Sequence, residues 1–130
     1  MKNSIKFLQT AIIYVRSFNK ESLNIYGIDE QEKACIEFVR KNNGRVLQVF
    51  KEENRSAKSF DRPQFQEMIE YIKANKWKVK FLIVADIKRI STDQSGLWKL
   101  KYFLKRNGIR LISIANSMAK YTGKPTKQPL

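Results

Sequence analysis

Four short runs constrain this chain more than any other feature: "AIIYVR" at 11–16, "VLQVF" at 46–50, "FLIVA" at 81–85 and "IRLISIA" at 109–115. Each is largely apolar at both odd and even positions. A strand with one wetted face alternates apolar and polar side chains, so runs like these belong to strands covered on both faces. The segments between them are long enough for crossover helices. The expected fold is therefore α/β, a mainly parallel sheet of four or five strands with helices on both faces.

Local signals place three helices in the gaps. The first is expected to open near Ile28, after Gly27, with Asp29 and Glu30 in the first turn where the helix dipole favours them. Ala34, Cys35, Phe38 and Val39 form its apolar stripe, and "NNG" at 42–44 ends it. Cys35 on that stripe reads as a small core residue rather than a nucleophile. For the second helix Asp61 is the expected N-cap, with Pro63 in the opening turn. Phe65, Met68, Ile69 and Ile72 follow at helical spacing. The third is expected over 93–106, with Leu97, Leu100 and Leu104 inward and Asn107-Gly108 as its stop. Its Lys99, Lys101, Lys105 and Arg106 read as a solvated face. One domain is expected over 1–118, followed by a basic, flexible tail at 119–130.

Composition narrows the chemistry. The chain of 130 residues has no histidine and one cysteine, which excludes imidazole general-base catalysis and an internal disulfide. So few thiolate and imidazole ligands argue against a metal site, and none is expected. No apolar run approaches the ~18 residues of a membrane span. The opening "MKNSIKFLQTAIIYV" has no small-residue cleavage site, so it reads as a buried strand rather than a leader and a cytoplasmic location is expected. Twenty-six Lys and Arg stand against 12 Asp and Glu, a net charge of +14. A field of that sign favours polyanions, with DNA the expected partner. In open sheets ligands bind beyond the carboxyl ends of the strands, here the loops after Val15, Phe50 and Ala85.

Those loops carry a recognisable set of residues. In order they are Tyr14-Val15-Arg16, Ile28 with Gln31, Ser56 with Asp61-Arg62-Pro63, Arg89, and "GIRLIS" at 108–113. Over roughly residues 9 to 116 the chain resembles the catalytic domain of serine recombinases, the resolvase/invertase family. The resemblance implies DNA strand exchange, in which a serine attacks a phosphodiester and forms a 5′-phosphoserine link while arginines stabilise the charge that develops. It implies catalytic and phosphate-binding roles for Arg16, Arg62 and Arg89. Gln31, Ser56 and Lys88 would line the same DNA-phosphate site. No cofactor is implied, and an origin in a bacterium, a phage or another mobile element is expected.

Four positions depart from the family pattern. The nucleophile should stand two residues after Arg16, where this chain has Phe18, and Ser17 is one place early. Residues i and i+2 share a strand face while i+1 points away, so Ser17 serves as a displaced nucleophile only if a bulge past the strand end swings it inward. In "IKRIST" Lys88 replaces an aspartate and Thr92 a second arginine; Asp86, on the same strand face as Lys88, is a partial substitute or, in the preferred reading, pairs with Lys88 or caps a turn. Ala57 replaces the glycine after Ser56. In relatives a long helix and a DNA-binding domain follow the last strand, whereas here Pro125 and Pro129 follow instead. The expectation is a serine site-specific recombinase catalytic domain with reduced or lost cleavage. The alternative is a non-catalytic DNA-binding or partner-binding regulator of a full-length recombinase. Association is expected with copies of itself or with such a recombinase.

Overall fold

The computed structural model describes residues 9–17, 27–53, 62–91 and 93–115. The order of elements is β1 (Thr10–Arg16), α1 (Ile28–Lys41), β2 (Arg45–Glu52), α2 (Pro63–Ala74), β3 (Phe81–Val84), a one-turn helix α3 (Ile87–Ile90), α4 (Gln94–Arg106) and β4 (Arg110–Ser113). The strands form one sheet in the order β2-β1-β3-β4, and every neighbouring pair is parallel.

The two central runs, β1 and β3, are buried on both faces as expected, whereas β2 and β4 at the sheet edges are only partly buried. Ala11 to Arg16 are all buried, and alternate residues enter two separate cores. Ala11, Ile13 and Val15 pack with Cys35 and Val39 of α1. Ile12 and Tyr14 pack with Met68 and Ile72 of α2 and with Leu100 and Leu104 of α4. Thus α1 covers one face, while α2 and α4 cover the other. A register shift between Ala11 and Ile12 lets β2 accommodate one extra residue, Leu47.

Chain order also fixes where a crevice opens. The connection through α1 carries the chain from β1 to one neighbour, and the connection through α2 carries it back across β1 to the other. The loops leaving β1 and β3 therefore diverge to opposite faces, and the space between those strand ends is the topological switch point.

Helix ends follow the local signals in part. Asn42 and Asn107 are the C-caps of α1 and α4, each followed by a left-handed residue, Asn43 (φ 60°) and Gly108 (φ 71°). In the first of these the asparagine, rather than the glycine of "NNG", takes the left-handed position. Asp93, expected as the first residue of the third helix, is instead the N-cap of α4, its carboxylate accepting from the Gly96 N–H. The residue that precedes α2 is Arg62, which makes no side-chain cap hydrogen bond, and Asp61 lies outside the described residues. The expected strand face shared by Asp86 and Lys88 is corrected. β3 ends at Val84, and Asp86 caps a turn, as the preferred reading expects: it is the N-cap of α3, accepting from the Lys88 N–H at 3.1 Å. A short polar residue that can take the N–H groups of a new turn ends the strand there. The expected tail at 119–130 lies outside the described residues.

Candidate active site

The last two inward positions on the α2/α4 side of β1 are polar. After Ile12 the same face carries Tyr14 and then Arg16. Arg16 is 1% exposed, so a full guanidinium charge is buried at the carboxyl end of a central strand. Isolated burial would be prohibitive, and such a charge persists only with compensating dipoles and anions. One nitrogen, Nη2, donates to the Lys88 carbonyl of α3 at 3.3 Å.

Two further arginines arrive from other elements. Arg89 of α3 is buried, and its Nη1 donates to the Arg16 carbonyl at 3.4 Å. Arg62, just before α2, donates through Nη1 to the Ile90 carbonyl at 2.9 Å. Its guanidinium carbon lies 4.3 Å from the centre of the Phe65 ring and 5.9 Å from that of Tyr14, two rings that meet edge-on. Aromatic faces hold such a plane while leaving its edge to meet an anion. Burial pushes the Arg16 guanidinium below its ordinary range; Arg62 adds to this, Tyr14 and Glu52 oppose it, and Arg89 adds again. Arg16 thus feels Arg62 and Arg89 as like charges at the same strand end.

One supporting residue was not singled out in the sequence. Glu52, the last residue of β2, is 1% exposed and faces the same side as Phe50. Its Oε1 accepts from the Tyr14 hydroxyl at 2.9 Å and from the Phe65 N–H at 2.9 Å. Its Oε2 accepts from the Gln64 N–H at 3.1 Å. A carboxylate from a neighbouring strand thus satisfies the opening turn of α2 in place of a local cap, and its charge opposes the dipole's positive end. It also fixes Tyr14, whose hydroxyl is driven well above its ordinary range, chiefly by burial. The signal was present in the spacing: Glu52 stands two residues after buried Phe50, so it had to face a core.

The remaining expected site residues fall in three places. Gln31 is buried on α1, where its Oε1 accepts from the Arg16 N–H at 3.2 Å and its Nε2 donates to the Arg16 carbonyl at 2.8 Å. This side-chain amide holds the strand end that bears the arginine. Lys88 has an exposed side chain, and its main-chain carbonyl is what touches Arg16. Ser17 is half-buried, and its N–H donates to the Glu52 carbonyl at 3.1 Å, prolonging the β1–β2 ladder by one residue. Strand alternation therefore continues through Ser17, opposite in sense to Arg16. Phe18, Ser56, Ala57 and Thr92 lie outside the described residues.

Cys35 is buried against β1, and burial pushes its thiol up to about 12, as suits a core residue. Among the described residues no group of His, Cys, Asp and Glu is placed to hold a metal ion. No helix among them is long and apolar enough to cross a membrane.

The fold is thus a parallel four-stranded α/β sheet with a cluster of arginines at its switch point. Comparison with known proteins narrows this. The family model "Resolvase, N terminal domain" matches residues 11–130, and the chain belongs to that family. Solved structures share the fold. The N-terminal catalytic domain of TP901-1 integrase is 22% identical with a TM-score of 0.71, over 83% of this chain and 78% of that one. A resolvase family site-specific recombinase from Streptococcus pneumoniae is 22% identical with a TM-score of 0.71, covering 82% and 72%. A serine recombinase from Sulfolobus solfataricus is 19% identical with a TM-score of 0.62, covering 86% and 76%. No curated protein sequence matches this chain.

Proposed function

We propose that this chain is a serine-recombinase-type catalytic domain that grips a DNA backbone phosphate with Arg16, Arg62 and Arg89 but cleaves little or not at all. The observation that carries the reading is the meeting of three arginines from separate elements at one strand end. Guanidinium groups suit phosphate because each can offer two parallel N–H donors to two oxygens. Gln31 and Glu52 are positioning residues: one holds the Arg16 backbone, and the other holds the start of α2 beside Arg62.

Cleavage in this scheme needs a serine oxygen to form a bond to phosphorus while the P–O3′ bond breaks and the 3′-oxygen leaves as a hydroxyl. The position two residues after Arg16 is Phe18, which has no nucleophilic atom. Ser17 is the nearest hydroxyl, and the ladder hydrogen bond from its N–H favours the face away from Arg16. Losing one charge-stabilising donor typically costs about 3–4 kcal/mol, and Thr92 in place of an arginine removes one. The role we assign is binding and holding DNA, alone or beside an active recombinase, in assemblies of two or more chains.

The test is incubation with a pool of nicked suicide duplexes, followed by mass spectrometry for a serine–DNA adduct. Binding that weakens steeply with salt and gives no adduct is expected. An adduct at Ser17 that disappears in Ser17→Ala would establish a displaced nucleophile and overturn the loss of cleavage. Unchanged duplex affinity in an Arg16→Ala, Arg62→Ala, Arg89→Ala triple variant would overturn the phosphate site itself.

A further inference from the structure

Among the described residues, three large apolar side chains are well exposed, and two of them share one helix: Trp98 at 72% and Tyr102 at 57%, both on α4. At 3.6 residues per turn, positions four apart fall on one stripe. Lys101 and Lys105 lie along one flank of that stripe, Lys99 and Arg106 along the other, and all four are exposed. The helix contains no carboxylate, and none of those cations forms an ion pair among the described residues. Arg106 instead lies over the Tyr102 ring, its guanidinium carbon 5.7 Å from the centre. Below Tyr102 a groove of about 610 Å³ opens between the ends of α2 and α4, lined by Lys73, Lys76, Tyr102, Phe103, Arg106 and Asn107.

The core does not explain this stripe, because α4 already packs inward through Leu100 and Leu104. Nor does solubility, because lysines alone would serve it better than an indole. Cations explain attraction to a polyanion but leave the rings without a role. A duplex keeps its bases stacked on one another and offers a convex helix mainly phosphates, so exposed rings gain little from it. Unpaired bases offer aromatic faces, and stacking on Trp or Tyr with cations along the backbone is how single strands are held. An acidic protein partner would satisfy the charges, yet it supplies no reason for two rings in line.

We propose that the outer face of α4 binds single-stranded DNA, with Trp98 and Tyr102 stacking on bases and Lys99, Lys101, Lys105 and Arg106 holding phosphates. The groove residues Lys73 and Lys76 extend the path of the backbone. The choice of DNA over RNA rests on the recombinase reading above; the stacking surface itself does not.

The experiment is fluorescence anisotropy with the full chain at low salt, using labelled oligo(dT) of about twenty nucleotides, oligo(U) of equal length and a matched duplex, longer than the ~4–16 nucleotides a single-strand-binding module typically covers. Trp98→Ala with Tyr102→Ala is expected to weaken oligo(dT) binding by about ten- to a hundredfold while moving duplex affinity by less than about threefold. Trp98→Phe with Tyr102→Phe keeps the rings and is expected to retain most of the affinity. Unchanged oligo(dT) binding in the alanine variant, an equal loss for duplex, tighter binding of oligo(U), or loss of a concentration-dependent dimer in place of DNA affinity would each overturn the proposal. Arg16→Ala, measured in parallel, separates the two readings. It should weaken the duplex and spare oligo(dT) stacking, so either surface can fail without the other.

Discussion

The two faces of β1 part company only in their last residues. Toward α1 the strand shows Ala11, Ile13 and Val15, an apolar series closed by Cys35 and Val39. Toward α2 and α4 it shows Ile12, then Tyr14, then Arg16, and the series ends in a buried charge among two other arginines and a buried carboxylate. Both faces are equally inaccessible, so burial does not distinguish them; partners do. On one side the strand is stabilised by removing carbon from water. On the other it accepts an electrostatic cost that neighbouring carbonyls and Glu52 only partly offset, as expected of residues kept for binding rather than stability.

The largest break in that comparison should come from the apolar side. Ile13→Ala removes a fully buried side chain at the centre of the sheet and should cost about 3–4 kcal/mol by urea unfolding, with the duplex affinity of the folded protein unchanged. Glu52→Ala acts on the other side. It leaves the Tyr14 hydroxyl and two N–H groups of α2 without their acceptor and should cost about 3 kcal/mol. Here affinity should fall too, because the start of α2 carries Arg62. A loss of stability with binding intact would show that Glu52 only caps the helix.

A pH profile sharpens the contrast, since each face holds one group raised by burial. Tyr14 is held protonated above its ordinary value of 10.0, and Cys35 above 9.0. A raised folded value means stability that is complete below the unfolded value and lost as pH climbs past it. Unfolding free energy should therefore decline above pH 9, each group contributing up to about 1.4 kcal/mol per pH unit. Cys35→Ala should remove the earlier part of the decline and Tyr14→Phe the part beginning near pH 10. An unchanged profile in Tyr14→Phe would contradict the buried, carboxylate-bound hydroxyl.

The smallest effect has the opposite sign. Arg16→Met replaces a charge disfavoured by burial and by Arg62 with an apolar side chain of similar length. It should raise stability by about 1 kcal/mol while weakening DNA binding and lowering its salt slope by roughly one. A variant that is less stable instead would show that the arginine cluster is structural.

Much of this contrast was legible in the residue order. The two-sided apolar runs required a parallel sheet, and Pro63, "NNG" and "NG" marked helix ends because a fixed proline φ and a left-handed residue act through their own backbone. α3 was missed because a four-residue helix has no period to read, and "IKRI" falls in the loop expected after Ala85. Glu52 was missed as a cap because it reaches α2 from another strand, and local spacing does not report contacts between elements. The arginine cluster was expected from family resemblance rather than from spacing, and only the fold brings Arg16, Arg62 and Arg89 to one strand end. Four residues that would complete the site, Phe18, Ser56, Asp61 and Thr92, lie outside the described residues.

The central claim is that one phosphate engages all three arginines, and NMR of the arginine Nε–H groups during titration with the dinucleotide dTpdT tests it most directly. The resonances of Arg16, Arg62 and Arg89 should move together, with one midpoint and saturation at one equivalent. Three separate midpoints, or shifts confined to lysines while these signals stay still, would contradict it.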